Sequence, residues 1–349
     1  RAKLKRTILS IYNLYIAKPI PFPSGEGPLQ GPYLRGKSLL GTSKEVEKAL
    51  DNYRANNKQY KLYANNKNLG YYLVPCGALP CCGTSPRGLA GLLEGGDHIS
   101  LPVLSTTTLN RVLNPRIVFT SHISNLGLYA FIQSNLGNIG RFQMIGNNTI
   151  RYIIGDKNGI ILFINLIHGK LRTPKNKIFN DLINFINIKY STNISESLLD
   201  SSHFSNNSWF TGFTEADGHF GIKYVESKAK SDTCNRSVSE NVSLKFRLDQ
   251  RSYDKSTSSP MKPFMEKLAL FLSCNLKSYT NNMGSEIPPA GVTPAGGITF
   301  LVDYFNKYTL LGDKFKDYKK WEVVYGMIKS KEHLTDEGRL KIRSLMGKI

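Results

Sequence analysis

From Arg87 onward, short apolar runs alternate with stretches whose apolar residues recur at helical spacing. Gly88 to Gly95 predicts a short helix with small residues on one face, followed by strands over Ile99–Val103 and Ile117–Thr120. A helix over Leu126–Leu136 comes next. Arg141–Met144 and Thr149–Ile154 then form a hairpin around the turn Gly146-Asn147-Asn148. Two helices, Gly159–His168 and Lys177–Ile186, close this unit. Residues 191–208 are rich in Ser and Asn and poor in hydrophobes, which suits a linker. The order then repeats, with a helix over Trp209–Ala216 and strands over Phe220–Val225 and Val242–Leu248. Helices follow at Pro260–Leu276, Ile298–Tyr304 and Tyr318–Met327. Residues 227–239 and 279–296 are polar or Gly/Pro-rich insertions. A unit of about 100 residues present twice is the main organisational signal.

The first 85 residues follow another pattern. Residues 21–42 are Pro- and Gly-rich without apolar period, 43–63 are helix-compatible with Ser43 as a cap, and 70–86 return to Gly, Pro and Cys. They read as a partly unstructured extension. The division expected is thus 1–85 extension, 86–190 first repeat, 191–208 linker and 209–349 second repeat. The basic start loosely resembles a transit peptide and carries no initiator Met, as in a fragment, a processed product or a frame running in from an upstream exon.

Composition narrows the function. Of 349 residues, 40% are hydrophobic, which excludes wholesale disorder. Lys and Arg number 46 against 26 for Asp and Glu, a net charge of +20, which favours a polyanionic partner. The longest apolar run, Ile160 to Ile167, is interrupted by Asn165 and is far too short to span a bilayer. No basic amphipathic helix marks a membrane surface. The five cysteines, Cys76, Cys81, Cys82, Cys234 and Cys274, have neither disulfide nor zinc spacing and suit a reducing compartment. Asn, Ile, Lys and Tyr are abundant, the residues of AT-rich codons.

The two short helices align without a gap. Leu89-Ala90-Gly91-Leu92-Leu93-Glu94-Gly95-Gly96-Asp97-His98 matches Phe210-Thr211-Gly212-Phe213-Thr214-Glu215-Ala216-Asp217-Gly218-His219. Small residues at this spacing let two helices meet backbone to backbone, setting carboxylates side by side at their ends. Paired carboxylates can hold divalent cations near a phosphate. These paired motifs resemble the LAGLIDADG homing endonucleases, intron-encoded DNA endonucleases of which some act as RNA maturases. Arg172-Thr173-Pro174-Lys175 and Leu310-Leu311-Gly312-Asp313-Lys314 look like the family's basic segments. Phe246-Arg247-Leu248-Asp249-Gln250-Arg251 resembles its strand with a site Gln.

The resemblance implies an α+β fold of two pseudo-symmetric αββαββα units whose antiparallel sheets form a saddle for double-stranded DNA. It implies a monomer with an internal pseudo-dimer, Mg²⁺ as cofactor, and site-specific phosphodiester hydrolysis. With the codon bias, it points to an organellar genome, that of fungal mitochondria. Asp217 and Asp97 are the expected metal ligands. Lys175 and Lys314 would stabilise transition-state charge or orient water, unless they are solvated surface residues. Gln250 would read a base or order water, or simply be exposed. Strand alternation offers His98, Ser100, Arg141, Gln143 and Arg151 to DNA from the first repeat. The second offers His219, Lys223, Lys245, Arg247 and Arg251. The two histidines serve equally as polar strand starts.

One departure stands out. The family's acid lies at the eighth motif position, where the second repeat has Asp217 and the first has Gly96, with Asp97 one residue later. A one-residue shift turns a side chain by about 100° on a helix. Three alternatives follow: cleavage lost in favour of a maturase or an inactive RNA-associated protein with intron RNA as partner, a nicking enzyme using Asp217, or rescue by Asp97 or Glu94. Glu94 and Glu215 themselves read as structural.

Overall fold

A computed structural model of the chain describes residues 85–102, 113–227, 237, 239–274 and 298–347, with the backbone alone at 279–280 and 286–287. The extension over residues 1–84, the end of the strand expected at Val103, the greater part of both insertions, and Cys76, Cys81, Cys82 and Cys234 lie outside the described residues. Cys274 is a free thiol.

The first repeat runs α1 (Pro86–Gly96), β1 (His98–Ser100), β2 (Arg116–His122), α2 (Leu126–Asn135), β3 (Arg141–Ile145), β4 (Thr149–Ile154), α3 (Lys157–Ile167) and α4 (Asn176–Tyr190). The second runs α5 (Trp209–Asp217), β5 (Gly218–Val225), β6 (Asn241–Leu248), α6 (Lys262–Phe271), β7 (Tyr279–Thr280), β8 (Glu286–Ile287), α7 (Ile298–Lys307) and α8 (Asp313–Lys329). A further helix, α9 (Asp336–Leu345), follows. Its apolar residues are too few for the sequence pattern to announce it. The helix expected over Pro260–Leu276 is shorter, because Ser273 turns the chain left-handed (φ 51°).

Strands β1, β2, β4 and β3 form one antiparallel sheet in that order. Strands β5 and β6 pair antiparallel, as do β7 and β8. Among the described residues these are two separate ribbons, where the resemblance implies one sheet. Register sorts the side chains, since directly opposed residues share a face. In the first sheet Ile99, Ile117, Phe119, Phe142, Ile150, Tyr152 and Ile154 point inward and are buried. In the second, Phe220, Leu244, Phe246 and Leu248 do the same. Each such side chain contributes about 1.5–3 kcal/mol by leaving water.

One apolar core runs through both repeats, joined where α1 meets α5. A Cβ on Gly91 would stand 2.0 Å from the Trp209 carbonyl oxygen, and one on Gly212 would stand 1.8 Å from that of Gly88. Only glycine permits this approach. The two helix starts meet as well: the Ser85 hydroxyl, which caps α1 by accepting from the Gly88 amide, bonds that of Ser208.

The 191–208 segment is not a free tether. Asn180 accepts from the Ser197 amide and donates to its carbonyl, and Asn187 does the same with Ile194. Asp200 then takes ion pairs from Arg87 (3.0 Å) and Arg172 (3.3 Å). Asparagines on one face of α4 thus treat the segment as a neighbouring strand would.

Candidate active site and nucleic-acid interface

Helices α1 and α5 end side by side and lead directly into β1 and β5. Helix C-termini carry partial negative charge, and at the end of α1 the Lys175 ammonium already meets it. A Cβ on Gly96 would lie 3.9 Å from Asp217 Oδ1 and 3.6 Å from the Ala216 Cβ, so position 96 faces Asp217 across ordinary open contact. Asp217 is half-buried. The Gln250 amide donates to its Oδ2. Burial, opposed by the Gln250 bond and by Lys175 and Lys314, raises the Asp217 carboxyl to about 6.

Asp97 sits differently. It is 4% exposed, and its Oδ1 accepts from the Thr120 amide of β2 at 2.8 Å. Burial raises its carboxyl to about 8, against the pull of the Thr120 bond and of Lys175. Thr120 lies 23 residues away, and no local signal in the sequence pairs the two.

The sequence offered Lys175 either to the reacting phosphate or to solvent, and the structure places it in neither setting. It is 7% exposed, and its Nζ donates to the carbonyls of Leu93 (2.9 Å), Glu94 (3.1 Å) and Asp97 (2.6 Å). An ammonium has three protons to donate, and all three are used at the end of α1. Lys314, its counterpart, is half-buried at the second residue of α8, and its charge acts on Glu215 and Asp217.

The motif glutamates hold loops. Glu94 accepts from the amides of Arg172 and Thr173, the Thr173 hydroxyl and the indole of Trp209 across the repeat boundary. Glu215 accepts from the Leu311 and Gly312 amides. Burial raises both to about 7. Both loops lead into the helix that follows them, α4 or α8, so each glutamate ties its motif helix to the basic segment of its own repeat.

The other face of each sheet carries most of the polar strand residues, with Val118 and Ile153 buried among them. His98 opposes Val118, which opposes Ile153, which opposes Arg141. Thr120, Arg151 and Gln143 form the next row, and Ser100 opposes Arg116. All five first-repeat residues expected to contact DNA therefore share one face. Arg116, Thr120 and His122 belong to it too. The strand expected over Ile117–Thr120 stopped short of its two ends, although Arg116, Thr120 and His122 recur at even positions. In the second ribbon His219 opposes Arg247, Gly221 opposes Lys245 and Lys223 opposes Ser243, again on one face. Arg247 also pairs with Asp249 at 3.1 Å. Arg251 is exposed but lies beyond β6, so alternation does not place it on that face. Burial, and then Arg151, Lys175 and Lys255, push the pKa of the His98 imidazole down.

Among the described residues no group of three or more His, Cys, Asp or Glu could hold a metal by itself. What the chain offers is one carboxylate with an open oxygen at two convergent helix ends. That fits a divalent cation that keeps several waters and takes one or two carboxylates together with substrate phosphates. No helix among the described residues is long and apolar enough to cross a membrane.

A family model described as "LAGLIDADG endonuclease" matches residues 210–325. Over 319 residues the chain is 27% identical to "Intron-encoded DNA endonuclease aI3" of Saccharomyces cerevisiae, covering 83% of this chain and 71% of that protein. It is also 27% identical over 258 residues to "Uncharacterized cox1 intron-2 37.2 kDa protein" of Schizosaccharomyces pombe, covering 73% of this chain and 69% of that one. Among solved structures, the meganuclease I-SmaMI bound to uncleavable DNA superposes with a TM-score of 0.54 at 18% identity, covering 76% of this chain and 96% of its own. Two motif helices in backbone contact, each leading into an antiparallel sheet, agree with these matches: residues 210–325 match the LAGLIDADG endonuclease family, and the fold is that of its solved members.

Proposed function

We propose that the protein is an intron-encoded, site-specific DNA endonuclease that hydrolyses phosphodiester bonds of a double-stranded target. The observation that carries this is the meeting of the two motif helix ends, with Asp217 open between them, where they lead into two sheets that carry Arg, Lys, His and Gln. An AT-biased composition and relatives named for introns support an organellar, fungal mitochondrial origin, with the chain acting as a monomer.

The chain's residues divide the work. Arg141, Arg151, Lys223, Lys245 and Arg247 meet phosphates or base edges, and Gln143 is placed to read adenine. Asp217 holds Mg²⁺, and Gln250 fixes which carboxylate oxygen remains open. The ion supplies Lewis acidity toward a phosphate oxygen and lowers the pKa of water. Lys314 adds positive charge beside Asp217. Glu94, Glu215 and Lys175 fix the helix ends and loops that set this geometry.

The test is cleavage of a supercoiled plasmid carrying the intron-less junction of the surrounding gene, with Mg²⁺ and then EDTA. Metal-dependent cutting is expected. Asp217→Asn should slow it by at least about 100-fold, the several kcal/mol that a bound metal contributes. Duplex binding without cutting by the wild type, or cutting that survives EDTA, would overturn the assignment.

A further inference from the structure

Resting on the endonuclease assignment above, we propose that the chain has one metal-holding carboxylate where its two-fold plan provides for two, and that it therefore nicks one strand of its target. The two motif helices are related by a pseudo-two-fold. In α5 the last helical residue is Asp217; in α1 it is Gly96. Position 96 looks at Asp217 Oδ1 across 3.9 Å and carries no side chain.

Asp97 does not stand in for the missing acid. Its Oδ1 is fastened to the Thr120 amide, its own carbonyl is held by Lys175, and its side chain is walled off from solvent. Moving it to a cation beside Asp217 would strip a buried amide of its partner and break the joint between α1 and β2. The swap is tolerated for a steric reason. At the ninth position of the second repeat a Cβ on Gly218 would meet Thr214 Cγ2 at 2.4 Å and the Thr214 carbonyl oxygen at 2.8 Å. The backbone is extended at both positions, but at Asp97 the side chain is accommodated and bonds the Thr120 amide. Asp97 is thus a positioning residue.

In the cut strand a water oxygen bonds to phosphorus and one ester P–O bond breaks. The water's proton passes to the departing sugar oxygen, leaving a phosphate monoester and a free hydroxyl. The strand facing Gly96 lacks the carboxylate that would place a cation for the same step.

Two measurements test this on the full chain with the exon-junction duplex: plasmid topology, and the number of Mn²⁺ ions bound in the protein–DNA complex by electron paramagnetic resonance. Expected are nicked circles, with linear product at least about 100-fold slower, and one tightly bound Mn²⁺. Asp97→Asn, which can still accept the Thr120 amide, should keep the count at one. Gly96→Asp with Asp97→Gly should raise it to two and give linear product; should that pair fail to fold, Gly96→Asp alone keeps the Asp97 joint. Linear product from the wild type with two ions, one of them lost in Asp97→Asn, would overturn the inference and leave the endonuclease assignment standing. A duplex that no variant binds would overturn both.

Discussion

Lys175 shows how one residue can look catalytic in a sequence and be architectural in a fold. It follows the Arg-Thr-Pro segment where the family resemblance puts a basic site residue, yet its ammonium closes the C-terminus of α1 through three carbonyls. Burying a cation is costly unless it is fully hydrogen-bonded, and here it is. Lys175→Met should therefore lower stability by about 3 kcal/mol, since buried carbonyls left unpaired cost about 1–3 kcal/mol each. A urea titration would show this as a lower midpoint at unchanged slope. An unchanged midpoint with a lost cutting rate would instead return Lys175 to the chemistry. Asp217 and Gln250 were singled out from their motif positions, but the bond between them was not legible in the sequence. Nor was that of Asp97, because its partner is a backbone amide, which every residue type carries alike.

At the level of elements, the sequence reveals what repeats and hides what does not. The order of helices and strands came from apolar period, and the hairpin came from Gly146-Asn147-Asn148, with Ile145 opposing Thr149 as that turn requires. The asparagine rail of α4 stayed hidden, since an Asn on a helix surface looks the same whether it meets water or a chain segment. So did α9, whose buried face amounts to little beyond Gly338 and Ile342. The contact between α1 and α5 is the element-level feature with the largest energetic consequence. Gly212→Ala should cost about 3 kcal/mol or more, because its methyl would collide with the Gly88 backbone rather than with a movable side chain. Gly326 is the control: it lies within α8 with nothing within 4 Å of the added carbon. Gly326→Ala should stabilise by about 0.5–1 kcal/mol. Thermal melts of the two variants moving in the same direction would contradict this.

For the molecule as a whole, the chain's net charge is +20, and Arg116, Arg141, Arg151, Lys223, Lys245 and Arg247 lie on two sheet faces, one per repeat. Binding to duplex should weaken steeply with salt, as contacted phosphates regain counterions. Lys245→Gln should reduce the slope of log affinity against log salt by about 1 and weaken all duplexes alike. Gln143→Ala should leave the slope alone and relax preference at one base pair, a discrimination of about 1–3 kcal/mol. The reverse pattern would mean that register has assigned these side chains to the wrong tasks. The backbone contact between the motif helices also has a bearing on the target itself. Side chains at an interface can repack and absorb a shift, but two peptide backbones in contact cannot, so the pair acts as a caliper with a fixed opening. One base pair inserted at the middle of the target moves its outer part by about 3.4 Å and turns it by about a tenth of a helical revolution. A protein held open at a set width cannot follow. The length of the target's centre should then be guarded more strictly than the identity of any base within it.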